Sequence, residues 1–93
     1  MALSIGEINE KLQKLEGWEL SGEEIVRIFE FKTFKESMEF ANKIASLAEE
    51  MNHHPDISIR WNKVALNLST HSEKGLTDGD FELAEKINNS LSS

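Results

Sequence analysis

Three segments of this 93-residue sequence open with the same helix-starting signal. Ser4 and Thr33 are each followed three residues later by a glutamate, which is the pattern of a capping box. Thr77 is followed at the same distance by Asp80, a weaker form of the signal. Apolar residues then recur at helical spacing after each start. The sequence therefore predicts three amphipathic helices, of which the middle one is the longest and runs to about Asn52.

The segments between these helices have the composition or the two-residue alternation of β-strands. They cover residues 18–20, 24–31, 57–62 and 64–69, with turns expected at Ser21-Gly22 and Asn62-Lys63. The order is α-β-β-α-β-β-α in a single domain over residues 1–93. Two hairpins interleaved with helices predict an α+β fold, in which three helices cover one face of a four-stranded antiparallel sheet.

Composition narrows the classes of function. The chain has 17 acidic and 10 basic residues and a net charge of −7, which disfavours binding to nucleic-acid phosphates. It has no cysteine, which excludes disulfides, thiolate metal sites and a cysteine nucleophile. No signal-peptide pattern is visible, and no apolar run approaches the roughly 18–20 residues that span a bilayer. We expect a cytoplasmic protein that binds neither nucleic acid nor a membrane.

The chain has three histidines, His53, His54 and His71. If Asn62-Lys63 is a two-residue turn, counting outward along the hairpin places His54 opposite His71. Side chains that face each other directly in an antiparallel ladder lie about 5 Å apart. The sequence therefore predicts that the three histidines meet at one end of the second hairpin, although a one-residue slip would turn a side chain to the other face.

The residues around the histidine pair predict how each ring is held. Pro55 disfavours helical geometry in the residue before it, so His54 is expected to be extended. His53 can still lie in the last turn of the long helix, where Glu49 is its i,i+4 neighbour. A carboxylate in that position can fix the tautomer of the imidazole.

Other interpretations of these residues stay open at this point. His53 at a helix C-terminus can interact favourably with the helix dipole and have only a structural role. Asp80 can serve as a helix-capping partner, and Trp61 as part of the core or of a pocket wall. Gly75 can supply a turn.

A metal site is a further alternative. Its ligands would be Glu49, His53, His54 and His71. Adjacent histidines rarely bind one ion together, and the sequence has neither an H-E-x-x-H helix nor a cysteine pair. We therefore expect no metal.

Together, these residues resemble the pattern of the pterin-4a-carbinolamine dehydratases. The pattern runs through Glu49, His53-His54-Pro55, Trp61, His71 and Asp80, with further similarity at Asn62-Lys63-Val64, Leu68-Ser69-Thr70-His71 and Gly75-Leu76. The matching motifs cover about 40 residues, and the predicted order of elements resembles the family fold over nearly the whole chain.

The resemblance implies a reaction. Aromatic amino-acid hydroxylases leave a hydroxyl group at C4a of their tetrahydropterin, and the dehydratase removes it as water, giving a quinonoid dihydropterin without a metal or an organic cofactor. Histidine can act as acid or base near neutral pH. The resemblance assigns His54 and His71 as the acid–base pair and His53 to the same site, with Glu49 and Asp80 orienting them.

The resemblance also implies how substrate and further subunits are bound. Members of the family form dimers and often tetramers, so we expect a homodimer or a homotetramer. Two neighbouring positions depart from the animal members, which carry an acidic residue at Asn52 and a tryptophan at Ile57. The residues expected to bind the pterin are His53, His54, Pro55, Trp61, Thr70, His71, Ser72 and Glu73.

Two other functions remain as alternatives. Some animal members bind a homeodomain transcription factor and stabilise its dimer, a role that would use a helical surface such as Phe34–Met51. The other possibility is a site that acts on a related pterin, such as one linked to molybdenum-cofactor metabolism. Substitution of the histidines separates the first alternative from catalysis, and binding of several pterins tests the second.

Overall fold

A computed structural model describes residues 1–91 and confirms the predicted α+β fold. The four strands form one antiparallel sheet in the order β1-β2-β4-β3. The structure adds a single turn of 3-10 helix after the last strand, which the sequence did not predict. The elements are α1 (Ile5–Gln13), β1 (Glu19–Ser21), β2 (Glu24–Glu30), α2 (Phe34–Met51), β3 (Asp56–Arg60), β4 (Lys63–Leu68), the 3-10 helix (His71–Glu73) and α3 (Asp78–Leu91).

The predicted capping signals form to different extents. At α1 the box is complete, because Glu7 N–H donates to the Ser4 hydroxyl and the Ser4 N–H donates to the Glu7 carboxylate. At α2 the Thr33 hydroxyl accepts from the N–H of Glu36. The Glu36 carboxylate, however, accepts from the N–H of Lys32 rather than of Thr33. The starts of both helices are correctly predicted. In the second capping box, the glutamate accepts from the residue before the N-cap and not from the N-cap itself.

Both hairpins turn one residue away from the predicted position. In the first, Ser21 pairs with Glu24, so the turn is at 22–23 and not at Ser21-Gly22. In the second, Arg60 pairs with Lys63, so the turn is at 61–62 and not at Asn62-Lys63. Trp61 makes the second turn possible by adopting a left-handed φ of 51°, a conformation that bulky residues rarely adopt.

The helices and one face of the sheet enclose the core. Alternate residues of the two central strands point into it, as the two-residue period predicts. The misplaced turn of the second hairpin shifts each ladder partner by two positions. Because the side-chain period of a strand is also two, the predicted inward and outward faces of β4 stay correct. The fully buried side chains of the core include Ile25, Val64, Leu66 and Leu68 from the sheet, Ile44 from α2, and Leu83 and Ile87 from α3. No helix within residues 1–91 is both long and apolar enough to cross a membrane.

Candidate active site

The C-terminus of α2 determines where the two adjacent histidines point. Asn52 adopts a left-handed conformation with φ of 51°, and the N–H of His53 donates to the carbonyl of Ala48 at 3.0 Å. This is the hydrogen-bond pattern of a Schellman motif, in which asparagine is tolerated at the left-handed position. His53 therefore lies just outside the helix, and the chain changes direction before β3 begins at Asp56.

The side chain of His53 bonds to α3 and not to α2. Its Nε2 lies 2.6 Å from Oδ1 of Asp80, whose side chain is fully buried. The prediction that Glu49 is the partner of His53 is wrong, because the left-handed turn at Asn52 carries the His53 ring away from the face of α2 that bears Glu49.

His54 contacts the carboxylate that was predicted for its neighbour. Its Nε2 lies 2.5 Å from Oε2 of Glu49, and both side chains are largely exposed to solvent. The two histidines thus point to two different acids, one on α2 and the other on α3. Each ring commits one nitrogen to a carboxylate and leaves the other nitrogen for proton exchange.

Asp80 is more than the capping residue that the sequence suggested. It accepts from the backbone N–H of Thr77 at 2.9 Å, as a capping partner does, and from the hydroxyl of Thr70 at 2.8 Å. With His53 it therefore has three partners, and both of its oxygens are used. A fully buried carboxylate needs such partners, because an unpaired buried charge is strongly destabilising.

His71 lies on the segment that leaves β4. It begins the 3-10 helix, its side chain is exposed, and its ring has no hydrogen-bond partner within the described part of the chain. The predicted ladder pair of His54 and His71 is wrong, because the hairpin turns one residue earlier and β4 ends at Leu68. What ties this segment to the site is Thr70, the residue before His71, through its bond to Asp80.

A cavity of about 320 Å³ borders this same segment. Thr70 and His71 line it, whereas His53 and His54 do not. Glu23 of the β1–β2 turn and Glu24, the first residue of β2, also line it, and a 2.9 Å bond from the side chain of Asn67 holds Glu24. Space for a small molecule is therefore present beside one of the three histidines.

The remaining residues predicted to bind substrate occupy different positions. Pro55 lies between the histidine pair and β3, and Ser72 is exposed in the 3-10 helix. Glu73 contacts the N-terminal amine at 2.5 Å. Trp61 is 70% exposed in the turn at the other end of the hairpin, so it is not part of the core. With a rise of about 3.3 Å per residue, β3 separates Trp61 from His54 by roughly 20 Å.

Two contacts of the site were not anticipated from the sequence. The hydroxyl of Thr77 lies 2.8 Å from that of Thr70, and a Cβ added to Gly79 would lie within 3.7 Å of the His53 ring. The spacing of Thr77 and Asp80 indicated a helix cap at Thr77, but not its contact with Thr70. Nothing in the sequence indicated that Gly79 lies beside His53. Within residues 1–91, no three His, Asp or Glu side chains are grouped so that they could hold a metal ion together.

Comparison with known proteins gives a consistent result. A family model described as "Pterin 4 alpha carbinolamine dehydratase" matches residues 1–90. A protein of Sulfolobus acidocaldarius named "Putative pterin-4-alpha-carbinolamine dehydratase" is 50% identical over 88 residues, which cover 95% of this chain and 97% of that protein. A protein of Thermomicrobium roseum with the same name is 51% identical over 76 residues, or 82% of each chain.

Solved structures agree with the sequence comparison. A Brucella melitensis protein described as a "transcriptional coactivator/pterin dehydratase" superposes with a TM-score of 0.90 at 40% identity, over 96% of this chain and 97% of that one. A "pterin dehydratase-like protein" described as a RuBisCO assembly factor shares the fold, with a TM-score of 0.68 at 19% identity over 80% of this chain and 88% of that one.

Proposed function

The chain belongs to the pterin-4a-carbinolamine dehydratase family, and on that premise we propose that it removes water from a 4a-hydroxytetrahydropterin by histidine acid–base catalysis. The observation that carries this proposal is the pair of adjacent histidines, each bound through Nε2 to its own carboxylate. The exposed ring of His71 stands on a segment that is hydrogen-bonded to one of these carboxylates through Thr70.

The reaction needs one base and one acid. The base takes the proton from N5 of the pterin, and the electron pair of that N–H bond forms the double bond between N5 and C4a. The bond from C4a to oxygen breaks as this double bond forms, and the acid protonates the departing hydroxyl, which leaves as water. Imidazoles suit both roles because one ring can take a proton while another gives one near neutral pH.

We assign the residues as follows. His54 and His71 form the acid–base pair, because both rings are exposed and therefore accessible to a substrate. His53 belongs to the same site, where Asp80 holds it, and Glu49 orients His54. Pro55 and Ser72 are assigned to the border of the pterin site.

The test is the rate of water loss from synthetic 4a-hydroxytetrahydropterin. Loss of an acid or base typically costs 10²–10⁴-fold, so we expect His54→Ala and His71→Ala each to slow the catalysed reaction by about 100-fold or more. The double variant should lose little more than the worse single variant, because residues that act as a unit are not additive. Lys35→Ala, an exposed position at the N-terminal end of α2, far from the histidines, is the control and should retain the wild-type rate.

Wild-type rates in both histidine variants would contradict the proposal. The interaction role named above predicts a different pattern, because a helical surface such as Phe34–Met51 would bind a partner equally well after either histidine substitution. Activity on a related pterin would appear as preference for that compound in the same assay. The location in the cytoplasm stays a prediction.

We also propose that the chain associates with itself. Several apolar side chains on α2 and on the edge strand β3 remain exposed, among them Phe34 at 52%, Met38 at 38% and Ile57 at 38%. An edge strand also leaves backbone groups unpaired, which favours pairing with another chain. Light scattering should give the mass of a dimer or a tetramer, and a monomer at micromolar concentration would contradict this part of the proposal.

A further inference from the structure

The buried carboxylate of Asp80 accepts hydrogen bonds whose directions follow from chemistry. The Thr70 hydroxyl donates to Oδ2 at 2.8 Å, and the Thr77 backbone N–H donates to the same oxygen at 2.9 Å. The other oxygen, Oδ1, lies 2.6 Å from Nε2 of His53. An ionised carboxylate can only accept, so Nε2 carries the hydrogen in this pair.

A second hydroxyl extends this arrangement. The Oγ1 atoms of Thr70 and Thr77 lie 2.8 Å apart, a distance at which either could donate. The single hydroxyl hydrogen of Thr70 already points at Asp80, so the hydrogen between the two threonines must come from Thr77. The donors therefore run in one direction, from Thr77 to Thr70 to Asp80, and hydrogen bonds ordered in this way strengthen one another.

We infer that Thr70 and Thr77 are positioning residues, which hold the Asp80 carboxylate so that His53 keeps its hydrogen on Nε2 and presents an unprotonated Nδ1 to the substrate as a hydrogen-bond acceptor. The family resemblance implied that Thr70 binds the substrate, whereas the structure engages its hydroxyl with Asp80. This inference relies on the proposed function for the identity of the substrate, although the protonation pattern of the ring can be measured without one.

The surroundings of the His53 ring support Nδ1 as the nitrogen that faces the substrate. The neighbour on this edge is Gly79, where an added Cβ would be in van der Waals contact at 3.7 Å from Nδ1 and 3.6 Å from Cε1, so the glycine places no side chain against it. The His53 side chain is 18% exposed, whereas that of Asp80 has no exposure. The Nε2 edge therefore faces the protein interior, and the accessible part of the ring lies away from it.

Asp80→Asn tests the inference with the least change in shape. The Thr70 hydroxyl and the Thr77 N–H both require an oxygen at the Oδ2 position, which turns the NH2 group of the new amide toward His53. Nε2 of His53 must then accept, so the ring has to carry its hydrogen on Nδ1. The substitution should reverse the tautomer, as loss of the orienting carboxylate does in catalytic triads.

The measurement is 15N NMR of the histidine side chains at a pH at which His53 is neutral. We expect a protonated Nε2 and an unprotonated Nδ1 in the wild-type protein, and the reverse in Asp80→Asn. The dehydration rate of the variant should fall by at least roughly tenfold, as it does when groups that orient metal-bound histidines are removed. A wild-type ring protonated on Nδ1, or an unchanged tautomer in Asp80→Asn, would overturn the inference.

The threonines are tested by pairs of substitutions. Thr70→Val and Thr77→Val remove a hydroxyl at nearly constant volume, whereas Thr70→Ser and Thr77→Ser retain it. We expect the valine variants to lower kcat with little change in KM and to give a mixed His53 NMR pattern, with the larger effect at Thr70. The serine variants should restore both properties.

Thr33→Val is the matched control, because Thr33 caps α2 and has no link to Asp80. It should destabilise the fold but leave kcat and the His53 resonances unchanged. Wild-type kcat in Thr70→Val, or failure of Thr70→Ser to restore it, would overturn the positioning role. Absence of dehydration in a wild-type protein with the expected NMR pattern would reject the proposed function and leave the assigned tautomer standing.

Discussion

His53 and His54 are neighbours in sequence and both contact a carboxylate through Nε2, yet the two pairs differ physically. The side chains of His53 and Asp80 are 18% and 0% exposed, whereas those of His54 and Glu49 are 57% and 75% exposed. The two distances are nearly equal, at 2.6 and 2.5 Å. Distance alone therefore does not rank these pairs, and burial together with the number of further partners decides which one stabilises the fold.

The difference also separates two functions that adjacent histidines can have. Asp80 ties His53 to α3 and, through Thr70, to the segment that bears His71. His54 has one exposed contact and can change rotamer without breaking a buried bond. We interpret His53 as the fixed member of the site and His54 as the adaptable one.

The largest expected effect is on stability and contrasts the two acids. Asp80→Ala leaves the buried donors of Thr70, Thr77 and His53 without an acceptor, so we expect the free energy of unfolding to fall by about 3 kcal/mol. Glu49→Ala breaks an exposed pair and should cost less than about 1 kcal/mol. Urea unfolding of both variants measures this difference, and equal losses would contradict the distinction based on burial.

The second prediction concerns activity at the exposed pair. Glu49→Gln removes the charge beside His54 but lets an amide oxygen accept from Nε2, so the dehydration rate should fall by no more than roughly tenfold. Glu50→Gln, at the next position of the same helix, is the control and should be neutral. A larger loss for Glu49→Gln than for Asp80→Asn would reverse the ranking of the two pairs.

The third prediction separates stability from activity beside His53. Gly79 is in the first turn of α3, where alanine is a better helix former, so Gly79→Ala should raise the free energy of unfolding by about 0.5 kcal/mol. The added methyl group would cover the ring edge near Nδ1 and should lower the dehydration rate. Full activity together with higher stability would show that this edge of the ring is not used.

The smallest expected effect concerns Glu7, an exposed carboxylate that serves as a reference for Glu49. The hydrogen bond from the Ser4 backbone N–H, and secondarily the Ser4 hydroxyl, lowers the pKa of Glu7 below its ordinary value of 4.5. Because the folded chain binds this proton less readily than the unfolded one, the associated stability is present above pH 4.5 and is lost as the pH falls through the lowered pKa.

Unfolding measured across this acidic range tests the prediction. Glu7→Gln should flatten the pH dependence slightly, whereas Glu10→Gln on the same helix is the control for loss of one carboxylate. An identical pH profile in wild type and Glu7→Gln would contradict it.

The sequence predicted the features that depend on short-range interactions. Helix starts followed from Ser4 and Thr33, since a capping side chain acts on a backbone group three residues away. The faces of β4 followed from strict alternation, and its apolar residues Val64, Leu66 and Leu68 are fully buried. These signals survive a small error in the turn.

The predictions that failed depend on backbone conformations that carry no clear signal. Trp61 and Asn52 both adopt left-handed φ values, of 51° each, although glycine is the usual residue in that region. The conformation of Trp61 places the hairpin turn one residue earlier than predicted, so His54 and His71 do not face each other in the ladder. The conformation of Asn52 turns His53 away from Glu49, and so exchanges the partners of the two histidines.

The most direct test of this account is a crystal structure with a bound dihydropterin. We predict that the pterin lies beside the three histidines, with one ring nitrogen of His54 and one of His71 within about 3 Å of N5 and of the position of the C4a hydroxyl, in either order. Nε2 of His53 should remain on Asp80. A pterin bound away from all three histidines, such as in the cleft lined by Lys11, Lys14 and Asp78, would contradict the account.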